Sequence, residues 1–387
     1  MTDKSIETFL AEVKPLNPDY IMRAYFKQDG RDFKPTLLRN YVTKLRERLP
    51  STAVGFCMSS GIIGLDFVWP NGRAVSQAEM DSMVLRGPKG ETVDFGYSGL
   101  RKVADATKTA YQQFLLLWAK ALLEAGADVV DYDGAYNGAY VRVENWKQDK
   151  QAVLTAWDQA WKNIYSQTWQ LGAKYVSLHS GTPEVVATYN HFPPHQDLAY
   201  LNIPAKAVAA FSFGDVDQWK TTVSLAADKQ VLAFLDWDYS ANSALAIFAS
   251  YSPQDQSRYL QLAKETSRGI GSGFIYPVHG GYLGPDRGYY DSVQYGTYNT
   301  IKLLMQQSIV TSSSVTTSKT SFTSLTTRTT TASPTLIPTY IRATWKATGV
   351  ATAIIYGRLE TERGSGLGGK YVTVLEKGKP SSDAVEV

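Results

Sequence analysis

The chain of 387 residues contains one cysteine, Cys57, which excludes an internal disulfide framework and any metal site built from several cysteines. No run approaches the ~20 apolar residues that a membrane-spanning helix needs. The N-terminus, Met1-Thr2-Asp3-Lys4-Ser5, lacks the apolar segment of a signal peptide. No dense Lys/Arg tract accompanies the net charge of +3. We therefore expect no membrane span, no nucleic-acid partner and no cofactor.

Aromatic side chains are abundant, with 24 Tyr and 9 Trp. Many follow predicted strands, which favours flat, ring-shaped or polymeric ligands, although many of these side chains belong to a core. The hydrophobic content of 44% is typical of a globular protein. The length is sufficient for one large domain and a small one.

Strand and helix patterns alternate through the first 310 residues. Strands are predicted near residues 20, 53, 129, 174, 207, 230 and 274, and one more between residues 62 and 97. Eight βα units in a domain of this length predict an α/β fold, a (β/α)8 TIM barrel over residues 1–310. A doubly wound open sheet is the alternative, but no Gly-x-Gly-x-x-Gly follows the first strand.

The composition changes at residue 311. Residues 311–335 are rich in Ser and Thr and predict a linker, or in part an edge strand. Residues 336–387 show period-two strands, in which Gly-Arg-Leu-Glu at 357–360 precedes Gly-Leu-Gly-Gly-Lys-Tyr-Val-Thr-Val at 366–374. This pattern resembles the opening strands of Ig-like modules of secreted and surface proteins.

The Ig-like resemblance implies an extracellular or cell-surface location. A complete Ig-like sandwich needs about 100 residues. The module is therefore either incomplete here or completed by a strand from a partner.

Residues 126–136, Gly-Ala-Asp-Val-Val-Asp-Tyr-Asp-Gly-Ala-Tyr, follow a long helical pattern and end in carboxylates, glycine and aromatics. Alternation along a strand places Asp131 and Asp133 on one side and Val130 and Tyr132 on the other. Two carboxylates at one strand end indicate either an exposed end or a chemical role, because burying unpaired charge is costly.

Together, the long helical pattern and residues 126–136 that follow it look like the segment around the fourth strand in several TIM-barrel glycoside hydrolase families. That resemblance implies that Asp133 is the nucleophile and Asp131 its supporting neighbour. It does not identify the general acid. Asp238 would face Asp133 across the barrel mouth, and Asp236, Asp215 and Glu184 are the other candidates.

Polar and aromatic residues at strand ends predict a substrate-binding mouth. The first strand is expected to place Arg23 and Tyr25 on one side, and the sixth to end at Ser212. The predicted substrate-binding residues are Arg23, Tyr25, Trp69, Tyr136, His179, Trp237, Tyr276 and His279. Two alternatives remain open. One is an ion pair of Arg23 with Asp131 or Asp133. The other is a mononuclear metal site of Asp131 or Asp133 with His179 and His279, although no His-x-His spacing supports it.

These observations predict a glycoside hydrolase that acts on a poly- or oligosaccharide through a carboxylate pair at the mouth of the barrel. The alternative is a non-catalytic surface or structural protein that uses a similar barrel to bind glycans or as a scaffold.

Overall fold

A computed structural model describes residues 3–26, 28–95, 100–179, 181–237, 240–280 and 290–310, with residues 373–374 and 385–386. The chain divides into two compact units, Met1–Ser324 and Leu325–Val387. In the second unit, Thr373–Val374 pairs antiparallel with Val385–Glu386. The predicted linker and Ig-like module otherwise lie outside the described residues.

The strands of the first unit mostly belong to one parallel sheet. Their bounds are Tyr20–Phe26 (β1), Ala53–Ser59 (β2), Ile62–Gly64 (β3), Arg101–Val103 (β4), Val129–Asp133 (β5), Tyr175–His179 (β6), Leu198–Asn202 (β7), Gln230–Phe234 (β8), Gly273–Phe274 (β9), His279–Gly280 (β10) and Tyr290–Asp291 (β11). Seven of them form the main sheet in the order β1-β2-β5-β6-β7-β8-β9, and every neighbouring pair is parallel.

Helices connect the strands and cover the sheet. Their bounds are Asp3–Val13 (α1), Pro35–Arg48 (α2), Gln77–Met83 (α3), Thr109–Glu124 (α4), Asn137–Glu144 (α5), Lys150–Gln170 (α6), Pro183–Tyr189 (α7), Ala205–Ala209 (α8), Val216–Ala226 (α9), Ala244–Ala249 (α10), Pro253–Ile270 (α11) and Tyr298–Val310 (α12). The predicted parallel α/β organisation is confirmed. None of the described helices is long and apolar enough to cross a membrane.

The prediction of a main-sheet strand between residues 62 and 97 is wrong for the described residues. β3 lies there, but it pairs antiparallel with β4 outside the main sheet. β2 pairs directly with β5, so the strand that carries Asp131 and Asp133 is the third of the sheet and not the fourth. The segment between β2 and α4 is an excursion with its own capped helix, α3, whose Ser76 and Glu79 form a capping box.

The predicted strand at residues 207–213 is also wrong. Its alanine-rich start forms helix α8, in keeping with the strong helix propensity of alanine. The strand is β7, a short apolar run between two parallel neighbours. Ser212 and Asp215 therefore do not end a strand, and the Asp215 carboxylate accepts hydrogen bonds from the first turn of α9.

The sheet curls strongly. The hydroxyl groups of Tyr20 on β1 and Tyr200 on β7 are hydrogen-bonded, and their rings stack with centroids 6.3 Å apart. Two strands that are four positions apart in the sheet therefore meet through their inward side chains. Among the described residues, β1 and β9 are the two edges of this curled sheet.

The apolar core lies between the outer face of the sheet and the helices. On β5, Val130 and Tyr132 are buried in it, and the Tyr132 ring meets Trp161 of α6 at 5.2 Å. Asp131 and Asp133 on the same strand both contact Arg23 on β1. The predicted alternation of β5 is therefore confirmed.

Candidate functional site

Arg23 enters the interior of the curled sheet through a bulge in β1. Ile21 pairs with Val54 and Tyr25 pairs with Phe56, so three residues of β1 lie opposite one residue of β2. Arg23 has a φ of 51°, an uncommon conformation for a residue other than glycine. Such bulges redirect side chains, often beside functional sites.

The bulge also separates Arg23 from Tyr25. The Tyr25 ring packs edge-on against Phe33 and Phe56, within the apolar core. The expectation that Arg23 and Tyr25 share one side is wrong, because a bulge breaks the alternation of a regular strand.

Arg23 binds two carboxylates of β5. Its Nε lies 2.8 Å from Asp131 Oδ2, and its Nη2 lies 2.9 Å from Asp133 Oδ1. The Asp131 side chain is fully buried and also accepts a hydrogen bond of 2.8 Å from Ser177 Oγ. The Asp133 side chain is 21% exposed. The ion pair that the sequence left as an alternative is present, and it involves both carboxylates.

A third carboxylate reaches the same guanidinium. Asp236, just beyond β8, places Oδ1 3.9 Å from Arg23 Nη1. Asp236 Oδ2 accepts a hydrogen bond of 3.1 Å from Asn202 Nδ2. His179 completes the cluster, because its Nε2 lies 2.9 Å from Asn202 Oδ1 and its Nδ1 lies 2.5 Å from Asp133 Oδ1.

The result is a closed ring of contacts, Arg23-Asp133-His179-Asn202-Asp236-Arg23, drawn from five strands or their ends. We call these five side chains the acid ring. It lies at the carboxyl end of the parallel sheet, where functional groups of α/β sheets and barrels collect. The phenyl ring of Phe234 lies against both Arg23 and His179.

The charges of the acid ring shift two pKa values in opposite directions. Burial raises the pKa of Asp133, but the Arg23 charge and the His179 hydrogen bond outweigh it, so the net pKa lies well below the ordinary value. Burial lowers the pKa of His179, but Asp133 and Asp236 outweigh it and raise the net pKa above its ordinary value. Asp133 is therefore ionised at neutral pH.

Several predicted site residues lie in other environments. Glu184, in the first turn of α7, places Oε1 3.5 Å from Lys206 Nζ. Tyr136 is buried and donates to Asp158 at 2.6 Å. Trp69 packs on Phe114. Asp238 lies outside the described residues.

His279 belongs to a contact with the N-terminal helix. Its side chain is 5% exposed, and its Nε2 lies 2.8 Å from Glu12 Oε2 of α1. The imidazole also packs against Phe9, with ring centroids 5.6 Å apart. The described residues contain no group of three or more side chains arranged to hold a metal ion. In the acid ring, an arginine takes the central position among the carboxylates.

A cavity of about 970 Å³ adjoins the acid ring, a volume within the upper range of small-molecule sites. Residues of both sheet edges, β1 and β9, line it. Arg23 and Asp236 face it together with three aromatic side chains at the same end, Phe234, Trp237 and Tyr276. Three other predicted binding residues, Trp237, Tyr276 and His279, therefore line the cavity together with Arg23 and Asp236, the two members of the acid ring that do so.

Asn202 is a member of the acid ring that sequence reasoning missed. Asn202 is the last residue of β7. Because the sixth strand is predicted at residues 207–213, Asn202 is not among the predicted strand ends. The signal was present in Leu-Ala-Tyr-Leu-Asn at 198–202, a short apolar run between Asp197 and Ile-Pro at 203–204.

No protein-family model matches the chain, and a comparison with curated proteins finds no match. Similar solved structures include an α-amylase from H. orenii, at 13% identity and a TM-score of 0.47, covering 79% of this chain and 78% of that chain. An α-amylase from Geobacillus thermoleovorans, complexed with acarbose, has 14% identity and a TM-score of 0.48, covering 78% of this chain and 72% of that chain. The glycoside hydrolase domain of PelA from Pseudomonas aeruginosa has 16% identity and a TM-score of 0.40, covering 68% of this chain and 88% of that chain. These values are too low to assign a role to any residue of this chain.

Proposed function

We propose that the protein hydrolyses glycosidic bonds in a poly- or oligosaccharide, with Asp133 and Asp236 as the carboxylate pair. The observation that carries the proposal is that both carboxylates, from separate strands, reach one Arg23 guanidinium while each remains partly exposed, at 21% and 23%. Glycosidases need two such groups, one ionised and one able to donate a proton.

The spacing supports a pair. Asp133 Oδ1 lies 2.9 Å and Asp236 Oδ1 lies 3.9 Å from two nitrogens of one guanidinium, so their separation falls below about 9.5 Å, the upper end of the range for glycosidase carboxyl pairs. Asp131 is a poor candidate for direct chemistry because its side chain is fully buried. Glu184 has a different neighbour, Lys206.

The carboxylates have different environments, which suits a division of roles. Asp133 accepts from two cationic partners, Arg23 and His179, and its lowered pKa keeps it ionised as nucleophile or base. Asp236 accepts one described side-chain hydrogen bond, from the neutral amide of Asn202. In our proposal Asp236 gives its proton to the leaving glycosidic oxygen while Asp133 attacks the sugar carbon or activates a water molecule.

Carbohydrate is the substrate class that the cavity suits best. Trp237 and Tyr276 line it beside Asp236, and flat aromatic faces can pack against the apolar faces of sugar rings while polar groups orient the hydroxyls. The proposal extends to a TIM-barrel-type domain over residues 1–310, with a Ser/Thr-rich linker at 311–335 and an Ig-like module at 336–387. We also propose, from the Ig-like resemblance, that the protein lies outside the cell or at its surface.

A second candidate is glycan binding without turnover. It is favoured by the closed hydrogen bonding of the acid ring, because Asp133 Oδ1 already accepts from both Arg23 and His179. A network of charged side chains with a purely structural role would have its hydrogen-bond acceptors occupied in the same way.

A library of α- and β-linked oligosaccharides, including amino sugars, separates the two candidates. We expect the full chain to release shorter products from at least one class, and Asp133→Asn to bind that class without releasing product. Asp217→Asn is the matched control, because that side chain is 91% exposed on α9. Binding of a glycan with no product from the unmodified chain would support the second candidate over the first.

A further inference from the structure

We propose that Asn202 is a positioning residue that couples the protonation of His179 to that of Asp236, so that the two groups share one proton. The inference starts from the position of Asn202 in the acid ring, between His179 Nε2 at 2.9 Å and Asp236 Oδ2 at 3.1 Å. The His179 and Asp236 side chains are 11% and 23% exposed, so water competes weakly for these bonds.

The amide of Asn202 has one donor end and one acceptor end. In the structure the donor end, Nδ2, faces Asp236 Oδ2, which accepts; an ionised Asp236 meets this requirement. The acceptor end, Oδ1, faces His179 Nε2, which must then carry a hydrogen. His179 Nδ1 faces the ionised Asp133 and must also carry one. The arrangement thus suits an imidazolium beside an ionised Asp236.

With Asp133 ionised, reversing the amide gives a second arrangement in which every contact pairs a donor with an acceptor. Nδ2 of Asn202 then donates to His179 Nε2, which must be the unprotonated nitrogen of a neutral imidazole. Oδ1 of Asn202 then faces Asp236, which must be protonated to donate to it. In both arrangements His179 Nδ1 keeps its hydrogen and donates it to Asp133. The total number of protons is unchanged, because one proton has left His179 Nε2 and one has joined Asp236.

The other charged groups make Asp236 the carboxylate that can take this proton. Arg23 donates to Asp131 and Asp133 at hydrogen-bond distance, but it lies 3.9 Å from Asp236. Asp131 has Ser177 as a second donor, and Asp133 has His179. Burial raises the pKa of Cys57, which faces Arg23 and Asp131, so it remains a neutral thiol.

The inference deepens the proposed function, since it assigns the source of the proton that Asp236 would donate. In the amide-reversed arrangement, Asp236 carries the proton that a general acid must donate. After the proton has passed to the leaving oxygen, the water that completes hydrolysis returns a proton to Asp236. Between turnovers the restored proton lies on either Asp236 or His179, so the site begins each turnover with the same proton count.

The test is a nuclear magnetic resonance titration of the full chain without any substrate, following ¹⁵N of the His179 imidazole and ¹³Cγ of Asp236. A shared proton predicts that both signals move together with one common midpoint. In Asn202→Leu, which has a similar size but no amide, we expect two midpoints that differ by more than about one pH unit. Asn40→Leu, at an exposed position of α2, should keep the common midpoint.

Separate midpoints in the unmodified chain would overturn the proposal. So would a neutral His179 beside an ionised Asp236 at neutral pH, an observation that needs no variant and remains decisive if Asn202→Leu does not fold. Because no substrate is present, either failure leaves the glycosidase proposal standing. If the two signals share a midpoint but no oligosaccharide is hydrolysed, the glycosidase proposal is wrong and the shared proton stands.

Discussion

Arg23 Nε lies 2.8 Å from Asp131 Oδ2, although no part of the Asp131 side chain is exposed. A buried carboxylate is tolerated only when its charge and its hydrogen-bonding capacity are satisfied. Asp131 satisfies both conditions through Arg23 and Ser177, and it thereby fixes the guanidinium that Asp133 and Asp236 share. Asp131 therefore stabilises the acid ring by holding the Arg23 side chain in place.

Removal of the Asp131 charge should destabilise the fold. Asp131→Asn keeps the shape of the side chain but leaves part of the Arg23 charge uncompensated, so we expect the free energy of unfolding to fall by about 3–5 kcal/mol. Urea denaturation measures this change. Asp217→Asn, at a 91% exposed position, should stay within about 0.5 kcal/mol of the unmodified chain. Equal free energies of unfolding for Asp131→Asn and Asp217→Asn would mean that the buried ion pair of Arg23 and Asp131 does not stabilise the fold.

The acid ring should give the protein a stability maximum between two pH limits. The folded pKa of His179 is raised, so its stabilisation is complete below about pH 6.5 and is lost as the pH rises through the folded pKa. The folded pKa of Asp133 is lowered, so its stabilisation is present above about pH 3.9 and is lost as the pH falls through the folded pKa. Thermal unfolding from about pH 3 to pH 9 should show the start of the decline on the acid side and the decline above about pH 6.5. In His179→Gln the decline above about pH 6.5 should be reduced, and an identical decline in that variant would assign it to other groups.

Tyr136 offers a test of where the carbohydrate site ends. Its hydroxyl donates to Asp158 at 2.6 Å, and its ring stacks on Trp161 within the core. We expect Tyr136→Phe to lower the free energy of unfolding by about 1–3 kcal/mol through the lost hydrogen bond, with no change in glycan binding. Titration with the bound oligosaccharide class checks this. Weaker binding at unchanged stability would return Tyr136 to the binding residues that the sequence predicts.

The sequence predicts much of the sheet because its signals are local. The apolar runs and helix stops locate β1, β2, β5, β6 and β8, and the alternation of β5 places Asp131 and Asp133 on one side. His179 and Asp236 are also found at the expected strand ends, because residues at the carboxyl ends of parallel strands meet at one edge.

What the sequence does not reveal depends on pairing between distant segments. The bulge that turns Arg23 inward is a mismatch between β1 and β2, and no single segment encodes it. Asn202 was missed because two short apolar segments, at 198–202 and 207–213, compete for one strand position, and burial between parallel neighbours decides between them. The hydrogen-bonded ring that joins these residues becomes visible only when the strand ends are brought together.

The central claim is that Asp133 and Asp236 act as one catalytic pair, and the value of kcat/KM tests it most directly. On the best oligosaccharide class, we predict that Asp133→Asn and Asp236→Asn each lower kcat/KM by about 10²–10⁴-fold. The double variant should have a kcat/KM only slightly below that of the less active single variant, because the effects of residues that act as a unit are not additive. Asp217→Asn should have the kcat/KM of the unmodified chain. Full activity in either Asp133→Asn or Asp236→Asn would contradict the claim.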